Sequence, residues 1–202
     1  MSAPAATDKR RLILDAAVRV FARQGFHTCR VADIADQAGV AYGLVYHYFS
    51  SKEEILDTLF EERWGLMLDA IADLEGQPLT PREKLGAVAA FIVDSYRYDP
   101  EVMKVIIVEV TRAANTFGRT HLHAIRRAYR QVAAIVERGQ EEGIFRREID
   151  PSFAALAFYG LIEQVLTQWI FGNLPVSAGE FEHIKNEIVE MICGGLDSPQ
   201  AG

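Results

Sequence analysis

Residues 25–54 read GFHTCRVADIADQAGVAYGLVYHYFSSKEE, and this stretch decides the fold of the chain. Apolar residues recur in it at steps of three and four, the period of amphipathic helices, and predict short helices over 31–38 and 42–48. Gly39 lies between them and can adopt the positive φ that a tight turn between helices needs. The stretch therefore predicts two short helices joined by a tight turn.

The same helical spacing continues along the whole chain and predicts an all-α protein. Capping patterns such as Thr80 with Glu83 mark where helices begin. Nine helices are predicted, over 8–24, 31–38, 42–48, 50–74, 80–98, 100–113, 117–142, 150–171 and 178–194. The first three form a small domain over 1–50, in which 1–7 is a flexible tail, and the other six form a larger domain over 51–202.

Charge is divided unevenly between these two parts. The net charge of −7 argues by itself against a nucleic-acid binder, because phosphate contacts need basic surface. Residues 1–50, however, hold six Lys and Arg against four Asp, a balance of +2, which leaves −9 for residues 51–202. The division predicts a small basic module attached to an acidic body with a different task.

A positioning helix, a glycine-compatible turn and a short second helix are the parts of a DNA-binding helix-turn-helix. The first turn of the second helix enters the major groove, and here it consists of Ala41, Tyr42, Gly43 and Leu44. Ala41 and Gly43 lack bulk and permit close approach to base edges. Tyr42 and Leu44 can read bases by a hydrogen bond or by contact with a thymine methyl.

Three further residues are placed to hold the DNA backbone. Tyr46 and His47 can donate hydrogen bonds to phosphate oxygens. Lys52, near the amino end of the fourth helix, adds a cation where backbone N–H groups already favour an anion. These contacts position the module without specifying sequence.

The stretch resembles the TetR family of bacterial transcriptional regulators. The matching segments are 25–26, 31–35, 38–40, 46–49 and 51–54. They cover about fifty residues in family order, whereas the rest of the chain matches in helix number and length. The resemblance implies an N-terminal helix-turn-helix domain and a larger C-terminal helical domain for ligand binding and dimerisation.

The resemblance also implies roles for residues before the second helix. Family members commonly carry there a hydroxyl residue that caps the helix and touches phosphate; either Thr28 or Cys29 stands just before the helix, and Thr28 is expected to do both. Arg30 either reaches the DNA backbone or is an ordinary exposed arginine. Ala32 stands where a basic residue is frequent in the family, and Leu44 where threonine is frequent. Arg30 is expected to replace the missing charge, and Leu44 to read an apolar edge.

Regulators of this family are typically released from DNA by a small molecule held among the fourth to eighth helices. The apolar residues available for such a pocket are Trp64, Met67, Phe91, Tyr96, Met103, Ile107, Phe158, Leu161 and Trp169. For any single one of them, plain core packing is the better interpretation. The seventh helix adds a basic strip, which is either a solvated face or an anion site. The strip consists of Arg119, His123, Arg126, Arg127 and Arg130.

Segments 109–112, 158–163 and 167–169 are similar to the fatty-acid-degradation regulators within the family. An apolar tunnel with arginines at its mouth, Arg112 among them, suits a long-chain acyl-CoA, because arginine binds phosphate well. Acyl-CoA is therefore the leading effector. Another hydrophobic or aromatic compound, as in control of multidrug efflux, is the alternative.

The eighth predicted helix is apolar nearly all round and must be covered on more than one side. It is either a central core helix or, together with the ninth helix, the interface with a second copy of the chain. A homodimer is expected, and it would present two recognition helices to a palindromic operator. The candidate interface residues are Leu156, Ile162, Val165, Phe181, Ile188 and Ile192.

Other functional classes are less consistent with the sequence. The sequence has no phosphate loop, no nucleophile elbow and no cysteine pair with zinc spacing. A helical di-metal site needs two Glu-x-x-His units, and the sequence has one. Neither an enzyme nor a metal or cofactor site is therefore predicted. A helical adaptor that binds another protein through its eighth helix remains a further alternative. Cys29 and Cys193 lie far apart, no signal-like leader is seen and no run approaches a membrane span, which together predict a cytoplasmic protein.

Overall fold

Every regular element in residues 6–109, 119–174 and 177–197, the residues that the computed structural model describes, is a helix. Within these ranges the nine α-helices are α1 (Ala6–Gln24), α2 (Val31–Ala38), α3 (Tyr42–Tyr48), α4 (Lys52–Glu75), α5 (Pro81–Tyr98), α6 (Pro100–Lys104), α7 (Arg119–Glu141), α8 (Pro151–Ile170) and α9 (Ala178–Leu196). A π-helical segment, Val105–Glu109, continues α6. The predicted all-α fold is confirmed, while the predicted end of the sixth helix and start of the seventh lie outside the described residues.

Side-chain caps define where the long helices begin. At α5 the amide N of Glu83 donates to Thr80 Oγ1 at 3.3 Å, and Thr80 N donates back to the Glu83 carboxylate at 2.8 Å. The backbone N–H and the hydroxyl of Thr80 both donate to the Glu83 carboxylate, and these two bonds hold the pKa of Glu83 below its ordinary value. At α8 the amide of Phe153 donates to the Asp150 carboxylate at 2.8 Å. Both helices have proline in their first turn, as the sequence predicts.

The chain divides into two compact units, residues 1–63 with 101–121 and residues 64–100 with 122–202. In the first unit α1 packs along α2, and α2 packs against α3. The side chains that close this core are Ile13, Leu14, Phe21, Ile34, Val45 and Phe49, all buried. The domain boundary predicted at residue 50 stays a prediction.

In the second unit α5 packs against α9 and α8. Two ionic contacts tie α5 to the last helix and its end. Lys185 Nζ lies 3.0 and 3.1 Å from the two carboxylate oxygens of Asp94. The guanidinium of Arg82 lies 2.6 Å from Glu190 and 3.1 Å from Asp197. These pairs join residues about 90 or more positions apart in sequence and fix α9 against α5.

Helix α8 retains an uncovered apolar surface. By length and composition it is capable of crossing a membrane, a test that the core helix of a soluble protein also passes. Only 33% of its most apolar window is buried within this chain. Phe153 and Leu156 are 64% and 54% exposed.

Candidate functional site

The turn between α2 and α3 has the predicted conformation. Gly39 has φ 65° and ψ 35°, in the left-handed region that favours glycine. The N–H of Gly39 donates to the carbonyl of Asp36 at 3.2 Å, and that of Val40 to the carbonyl of Ala35 at 3.0 Å. These bonds end α2 and start α3 two residues later.

One face of α3 is anchored in the core and the other is open. Val45 is fully buried, and Leu44 is half-buried. The exposed residues are Ala41, Tyr42, Gly43, Tyr46 and His47. A helix of this kind offers its outer face, with small residues in the first turn, to a binding partner.

Two tyrosines on this face form a pair. The hydroxyl of Tyr42 donates to the hydroxyl of Tyr46 at 3.2 Å, and the two rings meet edge to face with centroids 5.2 Å apart. The hydrogen bond from Tyr42 raises the pKa of Tyr46 above its ordinary value. The Tyr46 hydroxyl therefore keeps its own proton and can donate it to an acceptor outside the protein.

Lys52 is bonded to the loop that precedes α2. Its Nζ atom donates to the carbonyl oxygens of Phe26 at 2.7 Å, Cys29 at 3.1 Å and His27 at 3.4 Å. An ammonium has three N–H donors, so these three carbonyls occupy its donor capacity. Lys52 thus orders the loop on which Thr28 stands.

The sequence predicts Thr28 as the residue that caps α2, but the structure has a different residue at that position. The helix begins at Val31 with Arg30 as its N-cap residue, and the backbone N–H of Arg30 donates to the Asp33 carboxylate at 2.7 Å. Thr28 lies exposed in the preceding turn. Thr28 therefore does not cap α2, because the N-cap position is two residues later at Arg30, and Asp33 contributes only the bond to the N–H of that residue.

Four of the predicted DNA-contact residues line one concave surface of about 440 Å³. They are Arg30, Tyr42, Tyr46 and Lys52. This surface lies between the start of α2, the outer face of α3 and the start of α4. The other predicted contacts do not line it: these are Thr28, Ala41, Gly43, Leu44 and His47.

The residues predicted to line a ligand pocket fall into separate groups. Those buried in the second unit are Trp64, Met67, Tyr96, Phe158 and Trp169, while Phe91 and Leu161 are half-buried there. Met103 and Ile107 belong to the first unit. Arg112 and the side chain of Arg119 lie outside the described part of the structure.

Two aromatic clusters in the second unit contain most of these residues. Tyr96 stacks on Trp169 with centroids 5.5 Å apart, and Trp169 meets Phe181 at 4.8 Å, which packs α5, α8 and α9 together. Tyr159 meets Trp64 at 5.8 Å and Tyr129 at 5.5 Å, which joins α4, α7 and α8. The first cluster is ordinary core, as its tight stacking indicates.

The second cluster adjoins a carboxylate that sequence reasoning did not assign to the site. Glu163 is half-buried, and its carboxylate makes no hydrogen bond or ion pair among the described residues. Burial raises the pKa of Glu163, and burial together with the Glu163 charge raises the pKa of Tyr159 and of Tyr129. The available signal was a lone carboxylate in an otherwise apolar helix.

The basic strip on α7 is exposed. His123, Arg126, Arg127 and Arg130 all face solvent, and none of them forms an ion pair or side-chain hydrogen bond with any residue that the structure describes. Unpaired arginines in an acidic body remain available to an anionic partner.

The candidate dimer residues divide by burial. Ile162, Phe181 and Ile188 are 0%, 5% and 2% exposed and pack inside this chain's own second unit, so they have no surface for a partner. Val165 and Ile192 are half-buried, and Leu156 is exposed. Sequence reasoning missed Phe153 and Met191, which are 64% and 67% exposed on the same two helices. Of the predicted interface residues, Leu156, Val165 and Ile192 therefore stay candidates, and Phe153 and Met191 are exposed apolar side chains that join them.

Two family profiles match the chain. Residues 13–59 match the bacterial regulatory proteins of the tetR family, and residues 81–192 match the tetracyclin repressor-like C-terminal domain. The chain belongs to the TetR family. TetR-family proteins are DNA-binding transcriptional regulators and not enzymes, and the first match includes the whole of α2 and α3.

Several relatives of this TetR-family chain are fatty-acid regulators. It is 29% identical over 185 residues to the fatty acid metabolism regulator protein of Bacillus subtilis. The aligned region covers 91% of this chain and 93% of that protein. FadR from Bacillus subtilis in complex with stearoyl-CoA is 28% identical, with a TM-score of 0.80 over 92% of this chain and 98% of that one. The fatty acid degradation regulator FadR from Bacillus halodurans is 26% identical to this chain. The TM-score is 0.84, and the match covers 96% of this chain and 98% of that one.

Proposed function

We propose that this TetR-family regulator is a homodimeric repressor that binds a palindromic operator and leaves it when a small apolar molecule binds. The observation that carries the proposal is the open face of α3, where Tyr42 and Tyr46 stand exposed beside Arg30 at one concave surface. A short helix, held on one side by the core and open on the other, is what insertion into a major groove requires.

In the proposed complex the first turn of α3 reads bases. Ala41 and Gly43 let the backbone approach, while Tyr42 and Leu44 contact base edges. The phosphate contacts come from Thr28, Arg30, Tyr46 and His47. Lys52 contributes by holding the loop that carries Thr28, since its donors are bonded to that loop.

Dimerisation is proposed through α8 and α9. Phe153, Leu156 and Met191 are each more than half exposed in the single chain. Three large apolar side chains on two helices that pack against each other favour burial against a second copy. Two recognition helices about 34–36 Å apart would then meet successive major grooves of a palindrome.

A long-chain acyl-CoA is the proposed effector. The regulator from Bacillus subtilis that is 28% identical to this chain was solved with stearoyl-CoA. The exposed, unpaired cations of α7 supply groups for the phosphates, and the second aromatic cluster, around Trp64 and Tyr159, supplies apolar walls for the acyl chain. No cofactor is proposed, and the protein acts on DNA in the bacterial cytoplasm.

A different effector class is favoured by one observation. Glu163 is half-buried with no partner among the described residues, beside Tyr159 and Tyr129. A carboxylate next to aromatic rings suits a flat compound that carries a positive charge or hydrogen-bond donors. An aromatic or cationic effector is therefore the second candidate.

The test is fluorescence anisotropy on a labelled palindrome from the region upstream of the protein's own coding sequence. We expect binding by the full-length dimer and release on addition of stearoyl-CoA, but no release by free CoA or by stearate. Mass spectrometry of ligands that co-purify with the protein identifies the native effector. Recovery of a flat aromatic compound without any acyl-CoA contradicts the leading effector and supports the second candidate.

A further inference from the structure

A small cavity lies in the second unit between the end of α4, the start of α5 and the second half of α7. Its volume is about 240 Å³. An engineered apolar cavity of ~150 Å³ in another protein binds benzene, so this one has room for a small organic molecule. Ile71, Leu74 and Ile135 provide apolar walls.

Four polar or charged residues line the same cavity: Glu75, Lys84, Gln131 and Arg138. Lys84 is only 6% exposed, and within the described residues its Nζ atom makes one hydrogen bond, to the carbonyl oxygen of Glu75 at 3.2 Å. The Oε1 atom of Gln131 is buried and accepts no hydrogen bond from any described residue. Arg138 lines the cavity without an ion pair to the described part of the chain.

These groups are incompletely satisfied by the protein itself. A buried ammonium has three donors, and a buried amide oxygen without a partner costs free energy unless something donates to it. Ordered water can complete the hydrogen bonds, but it is neutral and leaves the buried ammonium of Lys84 without a counter-charge from the described residues. Arg138 and Glu75 are both exposed to solvent at this cavity. A molecule with one anionic group and one hydroxyl donor satisfies Lys84, Arg138 and Gln131 together.

We propose that this cavity binds a small organic carboxylate that carries a hydroxyl group. The carboxylate pairs with Lys84 and Arg138, and the hydroxyl donates to Gln131 Oε1. The short carbon chain lies against the apolar walls. The site is separate from the basic strip at 119–130 and goes beyond the proposed function, because it does not depend on acyl-CoA being the effector.

A matched ligand series tests the proposal on the full-length protein by calorimetric or NMR titration. The three probes are 3-hydroxybutyrate, butyrate, which lacks the hydroxyl, and butane-1,3-diol, which lacks the carboxylate. We expect a dissociation constant of about 1 mM for 3-hydroxybutyrate, the range for a ligand of so few atoms. Butyrate should bind roughly tenfold more weakly, since it loses one hydrogen bond, and the diol at least as weakly, since it loses the charged contacts to Lys84 and Arg138.

Substitutions assign each contact. Gln131→Leu should abolish the preference for 3-hydroxybutyrate over butyrate, and Lys84→Met should reduce its preference over the diol, since only Arg138 then remains to pair with the carboxylate. Lys104→Met, at an exposed lysine of α6, should preserve both preferences. The readout is a ratio of affinities within one protein, so a general loss of stability does not imitate it. If Lys84→Met fails to fold, Arg138→Gln tests the same charge.

Equal affinity of the wild-type protein for all three compounds overturns the proposal. Crystals soaked in 3-hydroxybutyrate that hold only ordered water in the cavity overturn it as well. Release of DNA by stearoyl-CoA is measured on the same preparation. Failure of that release counts against the proposed effector and leaves this site unaffected.

Discussion

The Nζ atom of Lys52 lies 2.7 Å from the carbonyl oxygen of Phe26, so the first residue of α4 holds the loop before α2. The same atom lies 4.7 Å from the centroid of the Phe26 ring and 3.1 Å from the carbonyl oxygen of Cys29. A lysine whose donors are bonded within the protein acts on DNA through the loop that it orders. Its effect should therefore differ from that of a phosphate contact.

Replacing Lys52 with methionine should lower DNA affinity and the thermal midpoint together. The lost hydrogen bonds contribute about 0.5–1.5 kcal/mol each to the free energy of unfolding. The slope of log affinity against log salt should stay unchanged, because no phosphate contact is removed. Lys104→Met is the matched control. A slope reduced by about 0.9 with an unchanged thermal midpoint would show a direct phosphate contact instead.

Replacing Tyr46 with phenylalanine should weaken binding tenfold or more, since a hydrogen bond to a charged phosphate is worth about 1.5–3 kcal/mol. The loss should be the same for operators of different sequence, because phosphates carry no base information. Tyr98→Phe, at a residue 83% exposed, is the control. The hydrogen bond from Tyr42 raises the pKa of Tyr46 above its ordinary value of 10.0, so the hydroxyl stays protonated at neutral pH and its contribution should not change there. A changed base preference in Tyr46→Phe contradicts this role.

Replacing Glu163 with glutamine should stabilise the protein at neutral pH. Burial raises the pKa of this acid in the folded state above its ordinary value of 4.5. The free energy of unfolding therefore falls as the pH rises from below 4.5 through the folded-state pKa, because the carboxyl then loses its proton in a buried site. The gain in thermal midpoint should therefore be present at about pH 7 and shrink at about pH 4. Glu137→Gln, on the exposed face of α7, should show no such gain. An unchanged midpoint at both pH values counts against the buried carboxylate.

A charged residue on the exposed face of α8 and α9 should separate the proposed dimer. Leu156→Glu combined with Met191→Glu is expected to give the mass of a single chain by light scattering, with unchanged helical content. Both side chains are exposed in the single chain, at 54% and 67%, so its own core is left intact. Tyr98→Glu is the control for adding charge. A dimeric double variant places the interface elsewhere.

Removing two cations of the α7 strip should impair the response to acyl-CoA. Arg126→Gln with Arg130→Gln is expected to raise the stearoyl-CoA concentration needed for release by tenfold or more, because each charged hydrogen bond to phosphate is worth about 1.5–3 kcal/mol. The control is Lys104→Gln with Arg146→Gln, which also removes two positive charges, at exposed positions outside the α7 strip. If both pairs of substitutions raise this stearoyl-CoA concentration equally, the response depends on the overall charge of the protein and not on the α7 strip.

The local features of the DNA-binding module could be predicted from the sequence. The spacing of apolar residues defines α2 and α3, and Gly39 supplies the turn, because both depend on neighbours within a few positions. The bonds of Lys52 could not be predicted, since they join it to carbonyls 23 to 26 residues away. A pattern of side chains gives no information on which distant backbone groups need a partner.

The interface on α8 and α9 could be predicted only in outline. A helix that is apolar nearly all round does not reveal which of its sides faces the core. The structure places Ile162, Phe181 and Ile188 inside and leaves Phe153 and Met191 exposed. Glu163 was overlooked for the same reason, because its burial depends on how α8 packs against other helices.

The most direct test of the central claim is hydroxyl-radical footprinting of the wild-type protein on the palindrome upstream of its own coding sequence. If two copies of α3 read the operator, two protected half-sites should lie about one helical turn apart on one face of the duplex, and stearoyl-CoA should remove both together. A single unpaired footprint, or none at low salt, would contradict a dimeric repressor that reads DNA through α3.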